Sequence, residues 1–227
     1  MKLHATLCIY NDRMFLSAAL DSIREHVDSI IIADGAYQLY YDNYLNYDST
    51  VKPWSTDGSL EIIEAFKDLP PTKLIECPNG EPWVNQAVKR TALVDAVPDG
   101  DWFIIVDADH VLKGDIDEGM EEIYDSGCVA ARVPWVNVGL DSERMEIYWH
   151  PLIFEKMAGM NYRHTHWHLR DKFDRIIEEY YPVKWTNRFV YVHLKAFKRV
   201  DRILPHQDYM RLLQPVGWIE PNGNPVQ

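Results

Sequence analysis

The 227-residue sequence has few cysteines and no long apolar run, and each absence excludes a class of protein. Cys8, Cys77 and Cys128 are odd in number and far apart, which favours free thiols over a disulfide framework. No stretch approaches the roughly 20 apolar residues that are needed to cross a bilayer. Because Met1 to His4 leads directly into an apparent strand, we expect no secretory leader and a cytoplasmic protein.

The sequence also lacks the short motifs of several enzyme classes. It contains no phosphate-binding glycine loop, no nucleophile elbow and no paired-cysteine metal motif. What is present is an ordinary globular balance, with 47% hydrophobic and 26% charged residues. This length and composition suffice for one sizeable core, with or without a smaller appendage.

The formal net charge of −12 is divided unevenly along the chain. Residues 1–126 hold nine Lys and Arg against 24 Asp and Glu, a net −15. Residues 127–227 hold 14 against 11, a net +3, and carry six of the nine histidines. Two interpretations stay open: acidic loops keep the first part in solution, or the second part meets an anionic partner.

The first half alternates between apolar β-type runs and apolar residues at helical spacing. Strands are predicted at 5–10, 29–33, 73–76 and 102–106, and helices after 11–12, after 55–58 and around 84–91. This alternation predicts right-handed βαβ units, and therefore an α/β, Rossmann-like fold with a mostly parallel central sheet flanked by helices. In the third helix, the pattern places Val84, Ala87, Val88 and Thr91 on one face.

The pattern changes in two places, at 36–54 and after Gly127. Residues 36–54 are rich in tyrosine without a period, which predicts a long loop near the mouth of a crevice. Beyond Gly127 we predict a strand at 128–133, a β pair formed by 181–184 and 188–192, and a closing helix at 200–213. We therefore divide the chain into an α/β half at 1–126, a β-containing second half of the same domain at 127–214, and a tail at 215–227.

Polar residues follow three of the predicted strands directly. Asn11 follows the first strand, Asp34 the second, and Asp107 with Asp109 the strand at 102–106. Ligands of open parallel sheets bind beyond the carboxyl ends of the strands. We expect these four side chains to converge on one crevice.

Two carboxylates separated by one residue, Asp107 and Asp109, offer hard oxygen ligands at the end of a buried strand. Such a pair suits Mg²⁺ or Mn²⁺ bound against a diphosphate, because these ions keep water and phosphate oxygens as ligands. The competing interpretation is a solvated turn, since Asp-x-Asp also occurs by chance.

Histidines and a basic pair are further candidates. His164, His166 and His168 alternate, so an extended chain would aim all three in one direction; they could supply an ion ligand, form a zinc site, or belong to a polar hairpin. We predict His168 as the third metal ligand, with His166 and His193 as alternates. Lys89 and Arg90 would face a base or phosphates, or lie on a solvated helix face.

Four segments together resemble family 2 glycosyltransferases of the GT-A fold. They are Ala5-Thr-Leu-Cys-Ile-Tyr-Asn-Asp12, Val27-Asp-Ser-Ile-Ile-Ile-Ala-Asp-Gly35, Ser55-Thr-Asp-Gly-Ser-Leu-Glu-Ile-Ile63 and Asp101-Trp-Phe-Ile-Ile-Val-Asp-Ala-Asp109. The resemblance covers roughly residues 5–112 in consistent order. It departs from the family where the tyrosine-rich stretch separates the second segment from the third, and where the usual Glu-Asp base pair is missing.

The resemblance implies roles for individual residues. Tyr10 and Asn11 would border the nucleoside and Asp34 would hydrogen-bond the base. Lys89 and Arg90 would lie near the base or diphosphate; Asp107 would approach the ribose or the ion, and Asp109 would ligate the ion. Asp141 and Asp171 are the candidate catalytic bases.

The expected activity is that of a hexosyltransferase. A sugar would pass from a UDP- or GDP-sugar to an acceptor hydroxyl, with Mn²⁺ or Mg²⁺ stabilising the departing diphosphate. The acceptor is open, and the basic second half is compatible with an anionic one. A nucleotidyltransferase, a non-catalytic nucleotide-sugar-binding module and a zinc hydrolase are the alternatives.

Overall fold

A computed structural model describes residues 1–45, 50–68, 70–138, 146–163 and 168–194, and the structural statements below concern these ranges. The predicted closing helix at 200–213 and the tail at 215–227 lie outside them. The strands are β1 (Leu3–Ile9), β2 (Ser29–Asp34), β3 (Thr72–Ile75), β4 (Trp102–Asp107), β5 (His110–Gly114), β6 (Ala130–Asn137), β7 (Glu146–Glu155), β8 (Val183–Trp185) and β9 (Phe189–His193). The helices are α1 (Arg13–Asp21), α2 (Gln38–Tyr40), α3 (Ser59–Phe66), α4 (Gln86–Asp95), α5 (Ile116–Asp125) and α6 (Ile177–Tyr180).

All nine described strands belong to one sheet. Its order is β3-β2-β1-β4-β7-β6-β9-β5, with β8 pairing β6. Five of the eight strand pairings are parallel, and the antiparallel ones are β4 with β7, β6 with β7, and β5 with β9. The predicted fold class is therefore confirmed: a mostly parallel, Rossmann-like α/β sheet with flanking helices and a smaller β-rich second part.

The central strands are buried on both faces, which explains their nearly continuous apolar sequences. In β4 the residues from Trp102 to Val106 are all buried, and in β2 so are Ile30 to Ala33. Burial of whole strands leaves only their ends to carry polar groups. For this reason the chemistry of the first half is concentrated where β1, β2 and β4 end.

Helix α4 occurs where it was predicted, but with a different inner face. Val84 and Val88 are 70% and 42% exposed, whereas Lys89 and Arg90 are buried. The apolar pattern failed because two cations occupy inward positions that hydrophobic side chains usually take. Their partners at the strand ends, described below, account for that inversion.

Two predictions about the less regular segments were wrong. Strands β8 and β9 do not pair with each other; both run parallel to β6, one after the other along the same edge. Residues 186–188 contain no reversing turn between them, so the chain continues in one direction. Within the tyrosine-rich stretch, α2 continues into a π-helical segment at Tyr41–Leu45 instead of a loop without secondary structure.

Within the described ranges no helix is both long and apolar enough to span a membrane. Strand β4, from the first predicted half, pairs with β7, from the second. The two halves therefore contribute to the same sheet, although the proposed boundary between them stays a prediction.

Candidate functional site

The strand register brings the predicted polar residues to one edge of the sheet. Ile9 at the end of β1 lies opposite Asp34 of β2, and Cys8 lies opposite Asp107 of β4. Asp34 and Asp107 thus flank the end of the central strand from its two sides. The cysteines Cys8, Cys77 and Cys128 are free thiols, as expected.

Asp34 forms hydrogen bonds within the protein that hold the loop preceding α3 in place. It is 2% exposed and accepts hydrogen bonds from the backbone N–H of Ser55 at 2.9 Å and from the Ser55 hydroxyl at 2.5 Å. Asn11, at φ 50°, donates its N–H to the same hydroxyl oxygen at 2.7 Å and accepts one from Thr56 at 2.8 Å. These contacts give Asp34 and Asn11 a structural function beside any contact with a nucleoside. Tyr10 donates its phenol proton to the carbonyl of Lys52 at 2.9 Å.

Lys89 of α4 forms hydrogen bonds with the backbone at the ends of both β1 and β2. Its ammonium is buried, at 1% exposure, and donates to the carbonyl oxygens of Ile9 and Gly35, both at 2.6 Å. It also lies 5.4 Å from the ring centroid of Tyr37. Burial lowers the pKa of Lys89. The solvated helix face does not fit this buried position, and carbonyl oxygens take two of the three ammonium N–H donors; the role of Lys89 at the donor stays a prediction.

Arg90, the next residue of α4, pairs with Asp107 at the end of β4. Its Nη2 atom lies 2.9 Å from Oδ1 of Asp107, whose side chain is 32% exposed. Burial by itself would raise the pKa of Asp107, but the Arg90 guanidinium, together with the imidazoles of His110 and His193, outweighs burial and lowers that pKa. For Arg90, burial disfavours the charged form, whereas the neighbouring Asp107 favours it. The net effect is that the pKa of Arg90 is raised. Both groups are therefore ionised in the folded protein.

The second aspartate of the pair, Asp109, faces His193 at the end of β9. Oδ2 of Asp109 lies 3.2 Å from Nε2 of His193, and both side chains are largely buried. The other ring nitrogen, Nδ1, lies 2.7 Å from Oδ1 of Asn137. Since a carbonyl oxygen only accepts, Nδ1 carries a proton, and Nε2 of the neutral ring presents a lone pair to the carboxylate. Two acceptors this close require a proton or a cation between them.

This geometry fits the divalent ion that the resemblance implies. A ligating histidine normally donates its second ring N–H to a carbonyl or carboxylate, as His193 does to Asn137. The ligand atoms of Asp109, His110 and His193 lie within 4.8 Å of one another. Because one donor is an imidazole nitrogen, the set favours Mn²⁺ over Mg²⁺, which prefers oxygen ligands.

His110 takes a different role in the same cluster. Its Nδ1 atom accepts the backbone N–H of Asp107 at 3.1 Å, so the neutral ring carries its proton on Nε2. Nε2 is buried, lies 4.0 Å from Oδ2 of Asp107, and has no hydrogen-bond partner among the described residues. Burial lowers the pKa of His110. In this tautomer Nε2–H is a hydrogen-bond donor and not a metal ligand, so Asp109 and His193 remain as the candidate ligands of the group.

The other predicted site residues are placed elsewhere or lie outside the described ranges. Nδ1 of His168, the predicted third ligand, contacts Oε1 of Glu178 at 2.8 Å, and the alternate His193 takes its place beside Asp109. Asp171 accepts hydrogen bonds from Arg175 and Tyr181 and from two backbone N–H groups. Burial by itself would raise the pKa of Asp171, but these contacts together outweigh burial and lower it. A carboxylate so engaged braces a turn and does not suit the role of a base. Asp141, His164 and His166 lie outside the described residues.

Sequence reasoning missed two residues of this site, His110 and Asn137. His110 directly follows Asp109, so its position next to the Asp-x-Asp pair was a usable signal. Asn137 had none, because it becomes relevant only through the pairing of β6 with β9, which places it opposite His193. The assembled site is a candidate metal centre, with an ion-paired carboxylate beside it, at the carboxyl edge of a parallel sheet.

No protein-family model matches the chain, and no curated protein matches it. Among solved structures it is similar to S. aureus TarS 1-349 in complex with UDP, at 14% identity and a TM-score of 0.47, over 61% of this chain and 36% of that one. It is similar to 4-diphosphocytidyl-2C-methyl-D-erythritol synthase from Anaerococcus prevotii at 11% identity and 0.46, over 92% and 96% of the two chains. For HddC from Yersinia pseudotuberculosis the values are 11% and 0.43, over 92% and 100%. At these identities and TM-scores the likeness carries no argument about activity.

Proposed function

We propose that this protein is a metal-dependent glycosyltransferase that uses a UDP- or GDP-sugar as donor. The observation that carries the proposal is the approach of His193 to Asp109, at 3.2 Å, next to the ion-paired Asp107. These groups meet at the carboxyl edge of parallel strands, where open α/β sheets bind their ligands. The same edge holds the segments that resemble family 2 glycosyltransferases.

Each residue of the site has a part in this proposal. Asp109 and His193 would hold the ion, with Mn²⁺ preferred, and Asn137 would keep His193 in the ligating tautomer. The ion, when bound, neutralises negative charge on the departing diphosphate. Arg90 fixes the Asp107 carboxylate and keeps it ionised. The Nε2–H of His110, which has no partner within the described part of the chain, would donate a hydrogen bond to an oxygen of the sugar nucleotide.

The reaction is a substitution at the anomeric carbon of the donor. The acceptor oxygen forms a bond to that carbon, the bond from the carbon to the diphosphate oxygen breaks, and the hydroxyl proton passes to a base. Asp141 remains the predicted base, since Asp171 is engaged with Arg175 and Tyr181.

The turn after β1 favours glycosyl transfer over nucleotidyl transfer. It carries Asn11 and Asp12 instead of a glycine-rich loop, and three of its backbone N–H groups already have partners. The N–H of Tyr10 donates to Asp12, that of Asn11 to Ser55, and that of Arg13 to Asp57. A triphosphate at this turn would meet carboxylates and find few donors.

Metal binding tests the first half of the proposal. Titration calorimetry with Mn²⁺ alone should detect a site in the wild-type protein. Asp109→Asn and His193→Ala should each weaken Mn²⁺ binding at least about tenfold, because each removes one ligand. His168→Ala is the matched control and should leave the affinity unchanged. Equal losses in His168→Ala, or none in His193→Ala, would exclude the assigned ligand set.

Donor turnover tests the second half. With Mn²⁺ present, UDP- and GDP-sugars should raise the melting temperature of the protein and be slowly hydrolysed, with release of the nucleoside diphosphate. Pyrophosphate release from a nucleoside triphosphate and a sugar phosphate would instead identify a nucleotidyltransferase. Tight donor binding that never leads to hydrolysis or transfer would identify a binding module.

A further inference from the structure

One face of the second part of the sheet carries a line of flat rings. Trp135 of β6 lies opposite Tyr148 of β7, Val133 opposite His150, and Asn137 opposite His193 of β9. Directly paired residues share a face, and so do residues two apart along a strand. Tyr148, His150, Trp135 and His193 therefore lie on one face, and we call these four residues the ring row.

The ring row is continuous from the candidate metal centre to the surface. The ring centroids of His193 and Trp135 are 4.9 Å apart, those of Trp135 and His150 4.4 Å, and those of His150 and Tyr148 6.2 Å. His193 at one end faces Asp109, whereas Tyr148 at the other end is 47% exposed. A molecule lying along the row would reach the reaction centre with one end.

The row presents little charge to such a molecule. Burial, together with the positive Arg132, lowers the pKa of His150 to about 4, so this imidazole is neutral at neutral pH. Indole and phenol side chains are uncharged there as well. The cation that influences His150, Arg132, lies on the opposite face, where its guanidinium lies 5.4 Å from the ring centroid of Trp185 and donates to the carbonyl of Trp149.

Two buried donors, one in the row and one next to it, have no partner among the described residues. They are Nε1 of Trp135 and the hydroxyl of Tyr191, which lies opposite Trp135 across β6 and β9. Buried polar groups are normally hydrogen-bonded, so each exception requires an explanation. An indole N–H can only donate, and its missing partner is therefore an acceptor such as an oxygen.

We infer that the ring row is the acceptor subsite of the proposed transferase and that it binds a neutral carbohydrate chain. The C–H face of a pyranose packs against flat rings, and its hydroxyls can pair with neutral ring nitrogens and with the unpartnered donors. Neighbouring rings along Trp135, His150 and Tyr148 are inclined by 54° and lie 4.4 and 6.2 Å apart, which leaves no space for a nucleobase between two of them. The same lack of charge disfavours an anionic acceptor, with which the basic second half was compatible.

Direct binding tests this inference without donor or metal. Short neutral oligosaccharides of the chito, cello and manno series, and uronate or phosphorylated oligosaccharides of equal length, would be titrated into the full chain and followed by saturation-transfer NMR. Neutral chains should bind, and Tyr148→Ala should weaken them about fivefold through loss of one ring contact. The matched control is Trp185→Ala, an exposed ring on the opposite face, and it should bind as the wild type does.

Three results would overturn the inference: tighter binding of the anionic series, loss of binding in Trp185→Ala but not in Tyr148→Ala, or no binding of any neutral chain. The name acceptor subsite rests on the proposed function, whereas binding by the ring row does not. Glycan binding with no donor turnover would therefore reject the transferase and keep a carbohydrate site. Donor turnover without glycan binding at Tyr148 would do the reverse.

Discussion

Replacing Gly35 by alanine tests how tightly the carboxyl end of β2 is packed against the candidate site. Gly35 has φ +117°, and its N–H and carbonyl are bonded to Ile9 and Lys89 respectively. A Cβ atom built there would lie 2.0 Å from Sγ of the buried Cys77 and 3.0 Å from the carbonyl oxygen of Pro53. Neither neighbour can move without disturbing the end of the strand.

The magnitude follows from two separate terms. A side chain at positive φ costs about 1–2 kcal/mol of folding free energy. Overpacking against Cys77 costs about 1–3 kcal/mol more, so Gly35→Ala should lose about 2–5 kcal/mol in total. Gly100 is the matched control, because it also has positive φ, +85°, but no atom lies within 4 Å of the place that a Cβ atom would take. Gly100→Ala should therefore lose only the first term.

Urea denaturation, followed by fluorescence or circular dichroism, measures both free energies of unfolding by linear extrapolation. Combining Gly35→Ala with Cys77→Ala should recover part of the loss, because the clashing sulfur is gone and the two substitutions are coupled. Equal losses in Gly35→Ala and Gly100→Ala, or strict additivity with Cys77→Ala, would refute the packing argument.

Three further predictions concern the charged groups. Asn137→Ala should lower Mn²⁺ affinity about 10- to 100-fold in calorimetry, with the ligands intact; an unchanged affinity would deny its tautomer-fixing role. Arg90→Met should cost about 3 kcal/mol in urea denaturation by leaving Asp107 unpaired, against less than about 1 kcal/mol for the exposed Arg188→Met. Asp171→Asn should destabilise at neutral pH, and the difference should shrink as the pH falls below 3.8 toward the lowered native pKa, because the unfolded wild-type chain then binds a proton that the folded carboxylate does not; a difference independent of pH would refute this.

The first half of the fold was predictable because its signals are local. The apolar runs that end at Asp34 and Asp107, and the segments of helical spacing that lie between these runs, predict strands, helices and strand ends without knowledge of distant residues. The inner face of α4 was not predictable from periodicity, since the burial of Lys89 and Arg90 depends on carbonyls and a carboxylate that only the assembled sheet supplies.

The residues of the site, too, were predictable where the signal is local and not where it depends on distant strands. Asp109 was found from its own strand, but its partner was assigned to His168, because three alternating histidines make a stronger local pattern than His193 alone. His193 reaches Asp109 only through the antiparallel pairing of β5 with β9, in which His110 lies opposite it. A contact across 84 positions leaves no trace in a window of neighbouring residues.

That pairing has a consequence for how the protein is made. Ribosomes deliver the chain from its N-terminus at about 5–20 residues per second, and domains fold as their segments emerge. Asp109 leaves the ribosome well before β9, and the strand that completes its surroundings is the last one described. A nascent or truncated chain that ends before His193 would lack one of the two proposed ligands, so manganese capture would mark a chain synthesised beyond that point.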